Sequence, residues 1–114
     1  MPNPDAIRLR HMRDAAASAL EMAAGRTRSG LDGNMMLRMA LTRCLEIPGE
    51  AASRVTPATR AKLPTVPFGK IVSMRNRLIH AYFDVDLNIV WTTVAEDLPA
   101  LLPALDAALA EIEQ

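Results

Sequence analysis

The sequence predicts an all-α fold, a bundle of four to five helices, and three observations predict it. Half of the 114 residues are hydrophobic, yet only Phe68, Tyr82, Phe83 and Trp91 are aromatic. The apolar material is Ala, Leu, Met, Ile and Val, a mix that favours helices over sheets. These residues recur at three- and four-residue spacing through long segments. Cap residues, prolines and glycines fall at the segment ends. The length fits a single domain over residues 1–114.

The first helix runs from Asp5 to Ala24. Asn3-Pro4 opens it, Gly25 stops it, and Ile7, Leu9, Met12, Ala16, Ala19, Leu20 and Ala23 form its buried side. His11 reads as an exposed surface histidine. Gly25 to Gly33 is a polar loop. Its Arg26 and Arg28 are either solvated or phosphate contacts. The second helix spans Asn34 to about Arg54, with Asn34 as N-cap and Leu37, Leu41 and Leu45 inward. Pro48-Gly49 interrupts that pattern and predicts a kink or a break, because proline removes a backbone donor and clashes one turn back.

Thr56-Pro57 caps and opens a short helix to Leu63, and Pro64 ends it. The third main helix opens near Pro67 and is expected to run to about Phe83. Asp86 caps a segment from Leu87 to Glu96, with Val90, Trp91 and Val94 inward. Asp97 re-caps, so the last helix is expected to break there and continue to Glu113, bent at Pro103. The apolar residues exceed what one small four-helix core needs, which points to a homodimer.

Formal net charge is zero, so a broad basic nucleic-acid surface is not indicated and any RNA contact must be local. Cys44 stands alone, which excludes an intramolecular disulfide and fits a reducing compartment. Neither a signal peptide nor a membrane-length apolar run is visible, and the expected location is the cytoplasm.

The stretch Met74 to Phe83 carries the chemistry. Each helical residue turns the chain by about 100°. On a continuous helix, Phe68, Ile71, Val72, Met74, Leu78, Ile79, Tyr82 and Phe83 share one apolar arc, and Arg75 projects near its middle. Asn76 lies at the edge of the arc, His80 just beyond it, and Arg77 points to solvent. A guanidinium inside an apolar arc needs an acceptor or an anion. Arg75, Asn76 and His80 together supply a fixed cation, an amide and a titratable base. Arg43, Glu46, Glu50 and Arg54 flank the Pro48 position. They read as salt-bridging partners, with Glu46 or Glu50 holding an arginine of the third helix. A metal site there is not expected, since no further Asp or His stands at ligand spacing.

Arg75-Asn76-Arg77-Leu78-Ile79-His80-Ala81-Tyr82 resembles the pattern R-x4-H-x-Y of HEPN-domain proteins, specifically the HepT-like toxins of toxin–antitoxin pairs. Leu45-Glu46-Ile47-Pro48-Gly49-Glu50-Ala51 is similar to that family's L-E-x-I-G-E-A segment, and Val66-Pro67-Phe68 to its I-P-W. Tyr82 to Asp86 and Asp97-Leu98-Pro99 also look alike. Pro48 and Phe68 depart from the family pattern. The resemblance implies a helical homodimer whose two motifs face each other across a cleft. It also implies a metal-independent endoribonuclease that needs no cofactor, of a type VII-like system. Its partner would be a nucleotidyltransferase antitoxin that silences it by transferring AMP to Tyr82.

The reaction this implies is attack of an RNA 2′-hydroxyl on the adjacent phosphorus. His80 acts as base or acid, because free imidazole titrates near pH ~6.5. Arg75 faces the charge growing on the phosphorane, and Asn76 orients His80 or a phosphate oxygen. The plainer readings are a helix-end histidine, a structural Arg75 ion pair and a core tyrosine. Two other classes fit the same residues: a non-catalytic nucleotide- or RNA-binding partner of a nucleotidyltransferase, and a dimerisation scaffold.

Overall fold

Small and branched apolar residues at helical spacing build the first element, α1 (Pro4–Ala23). The structure is a computed structural model that describes residues 3–81 and 84–113, with backbone only at 79–81 and 84. The Asn3 side chain caps α1 by accepting from the Asp5 N–H at 3.0 Å. Leu9, Met12, Ala16 and Ala19 are wholly buried. Ile7, expected inside, is 44% exposed. It precedes Leu9 by about 200° of turn and so lands on the outer side.

Gly25 turns the chain with φ 73, the left-handed region that glycine enters at no steric cost. The following loop is not simply polar. A 3₁₀ turn at Arg28–Leu31 drives Leu31 fully into the core. Arg28 donates to Asn88 Oδ1 at 2.8 Å and pairs with Asp32 at 2.9 Å, and Arg26 donates to the Met22 carbonyl.

Helix α2 (Met35–Arg54) is capped by Asn34, whose side chain accepts from Leu37 N–H. No break occurs at Pro48, and the helix runs through it. Pro48 itself is buried, and α2 packs along both α1 and α4. That two-sided packing holds the helix across the one missing backbone bond. Arg60 finishes α2 from outside, donating to the Ala52 and Val55 carbonyls while its guanidinium lies 5.4 Å from the Phe68 ring centroid.

Helix α3 (Pro57–Lys62) starts from Thr56. The buried Asp5 carboxylate ties this start to α1. It accepts from Thr56 N–H at 3.2 Å and from the hydroxyls of Thr56 and Thr59, each at 2.5 Å, with Arg8 at 3.5 Å. Sequence pattern alone placed Asp5 merely in a first turn.

Helix α4 (Phe68–Leu78) buries Phe68, Ile71, Met74 and Leu78. It ends at Leu78 rather than near Phe83. Ile79–Ala81 is a strand, β1, paired antiparallel with β2 (Asp84–Val85). Asp86 returns the chain: its N–H donates to the Leu78 carbonyl at 3.1 Å, and its side chain caps α5 (Leu87–Thr92) at Asn88 and Ile89.

The last helix does not break at Asp97. A π-helical turn, Thr93–Asp97, joins α5 to α6 (Leu98–Ile112), and Asp97 keeps helical φ/ψ without capping. The wide turn takes up Pro99, which has no N–H to give an ordinary α turn. Thr93 Oγ1 donates to the Ile89 carbonyl at 2.7 Å. The result is all-α but for one short ribbon, with α1 against α2 and α6, and α4 against the other side of α2. Among the described residues no helix is long and apolar enough to cross a membrane.

Burial pushes the Asp5 carboxyl upward, but the hydrogen bonds from Thr56 and Thr59 and the Arg8 charge outweigh it, so its pKa falls below the ordinary carboxylate value. A lowered folded pKa adds stability above the unfolded value, and that stability is lost as pH falls through the folded one. Asp5→Asn is therefore expected to lower the urea midpoint at neutral pH, with the gap to wild type closing between about pH 5 and pH 2. Asp5→Ala, which removes the charged acceptor shared by the Thr56 and Thr59 hydroxyls, should cost about 1–3 kcal/mol at pH 7.

Candidate functional site

Two of the sequence-picked residues sit on the last turn of α4. Arg75 is half-buried and Asn76 exposed, and Arg75 Nη2 lies 3.5 Å from Asn76 Oδ1, a long contact. Arg77 is exposed, as its place on the wheel predicts. Arginine in a final helical turn faces the negative end of the helix dipole, which favours the cation.

Arg75 occupies the apolar arc because its neighbour across the interface has no side chain. Gly49 of α2 is buried against it. A Cβ placed on Gly49 would lie 2.4 Å from Arg75 Cβ, 2.9 Å from Cδ and 3.0 Å from Cγ. The aliphatic stem of Arg75 thus lies on the Gly49 backbone, and the guanidinium reaches beyond the crossing. Sequence reasoning treated Gly49 as half of a helix-breaking pair and as a match to the family's L-E-x-I-G-E-A segment, with no packing role assigned to it. The available signal was its cost: glycine inside a helix gives up about 1 kcal/mol relative to alanine, so an interior glycine calls for a close approach.

His80 is not one helical turn above Asn76, because α4 stops two residues before it. Its backbone belongs to β1, and the register shifts there: Ile79 pairs with Val85 and Ala81 with Asp84, which leaves His80 as the extra residue of a bulge. The β-branched Ile79 suits the extended backbone, and the Asp86 N–H at the Leu78 carbonyl closes the ribbon against the helix end. Bulges re-aim side chains beside functional sites. The His80 side chain and all of Tyr82 lie outside the described residues.

The remaining support residues fall elsewhere on α2. Arg43 pairs with Glu46 at 3.5 Å. Among the described residues, Arg75 makes no ion pair with Glu46 or Glu50, so the carboxylate clamp expected for it is not formed. Arg43 and Glu50 line an open trough of about 790 Å³ between α1 and α2, together with Arg8, His11, Asp14 and Arg54. His11 is exposed. Cys44 also lines the trough. Burial raises its thiol pKa above the ordinary value, against a smaller lowering by Arg43. The structure therefore joins Arg75 to Asn76 and Arg43 to Glu46, but not the two pairs to each other.

A helical bundle with a cation and an amide on one helix end, leading directly into a bulged ribbon, defines a class that comparison with known proteins narrows. Residues 12–108 match the family described as Ribonuclease HepT-like, and the chain belongs to that family. Two Methanocaldococcus jannaschii proteins, both named provisionally as RNases, are 36% and 35% identical over 80 and 81 residues. Those alignments cover 70% and 71% of this chain and 66% and 70% of the relatives. A Thermococcus cleftensis protein named, likewise provisionally, ribonuclease HepT is 42% identical over 64 residues, 56% of this chain and 58% of its own length. The matched part of the chain spans between 58% and 70% of the length of these relatives. No solved structure gives a significant match.

The ribbon that carries His80 is anchored at Asp86. Asp86→Ala removes the cap on Asn88 and Ile89 and is expected to cost about 1 kcal/mol. Thermal unfolding measures the loss, and amide exchange at Asn88 and Ile89 should quicken with it.

Proposed function

We propose that this protein is an endoribonuclease whose site is the Arg75–His80 segment, working as a homodimer in the cytoplasm. One observation supports the reading above the others: a half-buried arginine is held in the last turn of α4, four residues before the chain enters the strand that contains His80. The family match over residues 12–108 supports it independently.

In this reading the 2′-hydroxyl of one RNA nucleotide attacks the neighbouring phosphorus. His80 accepts the hydroxyl proton, and the 5′-oxygen of the next nucleotide leaves and is protonated. The products are a 2′,3′-cyclic phosphate and a free 5′-hydroxyl. Arg75 serves as a cation against the phosphorane oxygens, its planar guanidinium offering several donors to them. Asn76, 3.5 Å from that guanidinium, holds a phosphate oxygen or steadies the arginine. Arg43, Glu46 and Glu50 make no ion pair with Arg75 within one chain, and their support in this reading comes across the dimer from the partner copy.

The protein is the toxin of a type VII-like pair in this proposal, and a nucleotidyltransferase is its antitoxin. That partner would transfer AMP to Tyr82, two residues from His80. The added phosphate and adenosine would compete for Arg75 and fill the cleft. The alternative is a non-catalytic dimer that binds RNA or nucleotide as a partner of such a transferase.

Purified protein and RNA separate these readings. The enzyme cuts RNA to cyclic-phosphate ends and leaves intact an RNA with 2′-deoxy sugars throughout. His80→Ala and Arg75→Ala are each expected to lower the rate by about a hundredfold or more, with the helical circular dichroism unchanged. Retained cutting by both variants would remove this site from the reaction. Binding without cutting by the wild type would leave the non-catalytic reading. Mass spectrometry of Tyr82 peptides, with and without the co-expressed transferase, reads the AMP step.

A further inference from the structure

We infer that Gly49 is a positioning residue for Arg75: the bare backbone of α2 at this point sets where the guanidinium stands. The inference rests on the proposed role of Arg75 for its catalytic meaning, and on geometry alone for its structural one. Gly49 is in the middle of α2, in ordinary helical backbone, so no unusual φ explains a glycine there. What explains it is proximity. The hypothetical Cβ would lie 2.4 Å from Arg75 Cβ, a distance that real Cβ atoms do not reach. The obstructing atom is the root of the side chain, fixed to the α4 backbone, so a rotamer change cannot relieve it. Either α4 moves away from α2 or the crossing tilts. Both moves carry Arg75 and Asn76 with them, along with the ribbon start that follows Leu78.

The same contact fixes the direction of the stem. Arg75 Cγ and Cδ also lie against the position that a Gly49 Cβ would take. The first three carbons of Arg75 are therefore laid along a flat stretch of helix backbone, and only the end of the side chain is free to meet an anion. Displacements of about 1 Å at such a group can cost about a hundredfold in rate. Gly69 provides the contrast, because a Cβ there meets nothing within 4 Å.

The test compares Gly49→Ala with Gly69→Ala in the full chain, with two readouts. The first is the Arg75 Nε–Hε resonance, assigned by its loss in Arg75→Lys. It should shift in Gly49→Ala and stay in place in Gly69→Ala. An unmoved resonance in folded Gly49→Ala overturns the inference. The second is RNA cleavage. Gly49→Ala should lower kcat about tenfold to a hundredfold, with KM little changed, and should add no further loss in an Arg75→Ala background. A full additional loss in that background would mean that Gly49 acts through something other than Arg75. If the wild type cuts no RNA, the endoribonuclease reading fails, while the resonance still decides the positioning claim. Should Gly49→Ala not fold, Gly49→Ala with Arg75→Gly removes the opposing Cβ. Recovery of the fold supports the contact, and continued unfolding overturns it.

Discussion

The crossing of α2 and α4 at Gly49 and Arg75 is the constraint on which the rest of the site depends. Helix pairs usually keep about 8–10 Å between their axes, according to the side chains at the contact. A glycine at the contact lets a long side chain lie where a leucine would otherwise be needed. Arg75 can then take part in the α4 interface through its methylenes while its charge leaves the interface. This answers the difficulty posed by an arginine in the middle of an apolar arc. The charge need not be buried, because the stem alone fills the position.

The elements around this crossing fix its orientation from both ends. Below it, Phe68, Ile71 and Met74 anchor α4 in the core, and Arg60 ties the Phe68 ring to the end of α2. Above it, the Leu78 carbonyl is taken by the Asp86 N–H, so the helix end, the ribbon and the start of α5 form one backbone-bonded corner. The Asp5 carboxylate secures a second corner, where α1 meets the α3 start. Neither corner relies on exposed ion pairs, which contribute little in water.

Most of the helices were legible in the sequence. Asn3, Asn34, Thr56 and Asp86 each cap the helix that pattern assigned to them, because capping is a local interaction between a side chain and the next turn. What was not legible depended on neighbours. Pro48 predicted a break from local geometry, and packing on two sides overrode it. Asp97 and Pro99 predicted a restart, and a single wide turn absorbed them instead. The end of α4 was missed for the opposite reason. Apolar spacing continues helically through Phe83, but strand pairing with Val85, six residues on, takes Ile79 out of the helix. At the site, Arg75 and Asn76 were found where the wheel put them, while the helical placement of His80 failed together with the helix. Gly49 was visible as part of a predicted kink and of a family-like segment, but not as a contact, since what it meets is a side chain 26 positions later.

These features bear on how a chain of zero net charge could meet an anionic substrate. A protein without a broad basic face cannot rely on long-range attraction, so any phosphate contact must come from cations held in place. Arg75 is stabilised without a carboxylate of α2: its stem by the Gly49 crossing, its charge by the carbonyl end of α4. Arg43, by contrast, is engaged by Glu46, and Arg28 by Asp32 and Asn88. A guanidinium neutralised by a carboxylate would have to break that pair before it gained a phosphate. One supported by methylene packing and a helix dipole gives up neither when the anion arrives. On this ground a glycine gap and a helix end do what a salt bridge would not: they seat the arginine with no carboxylate partner among the described residues.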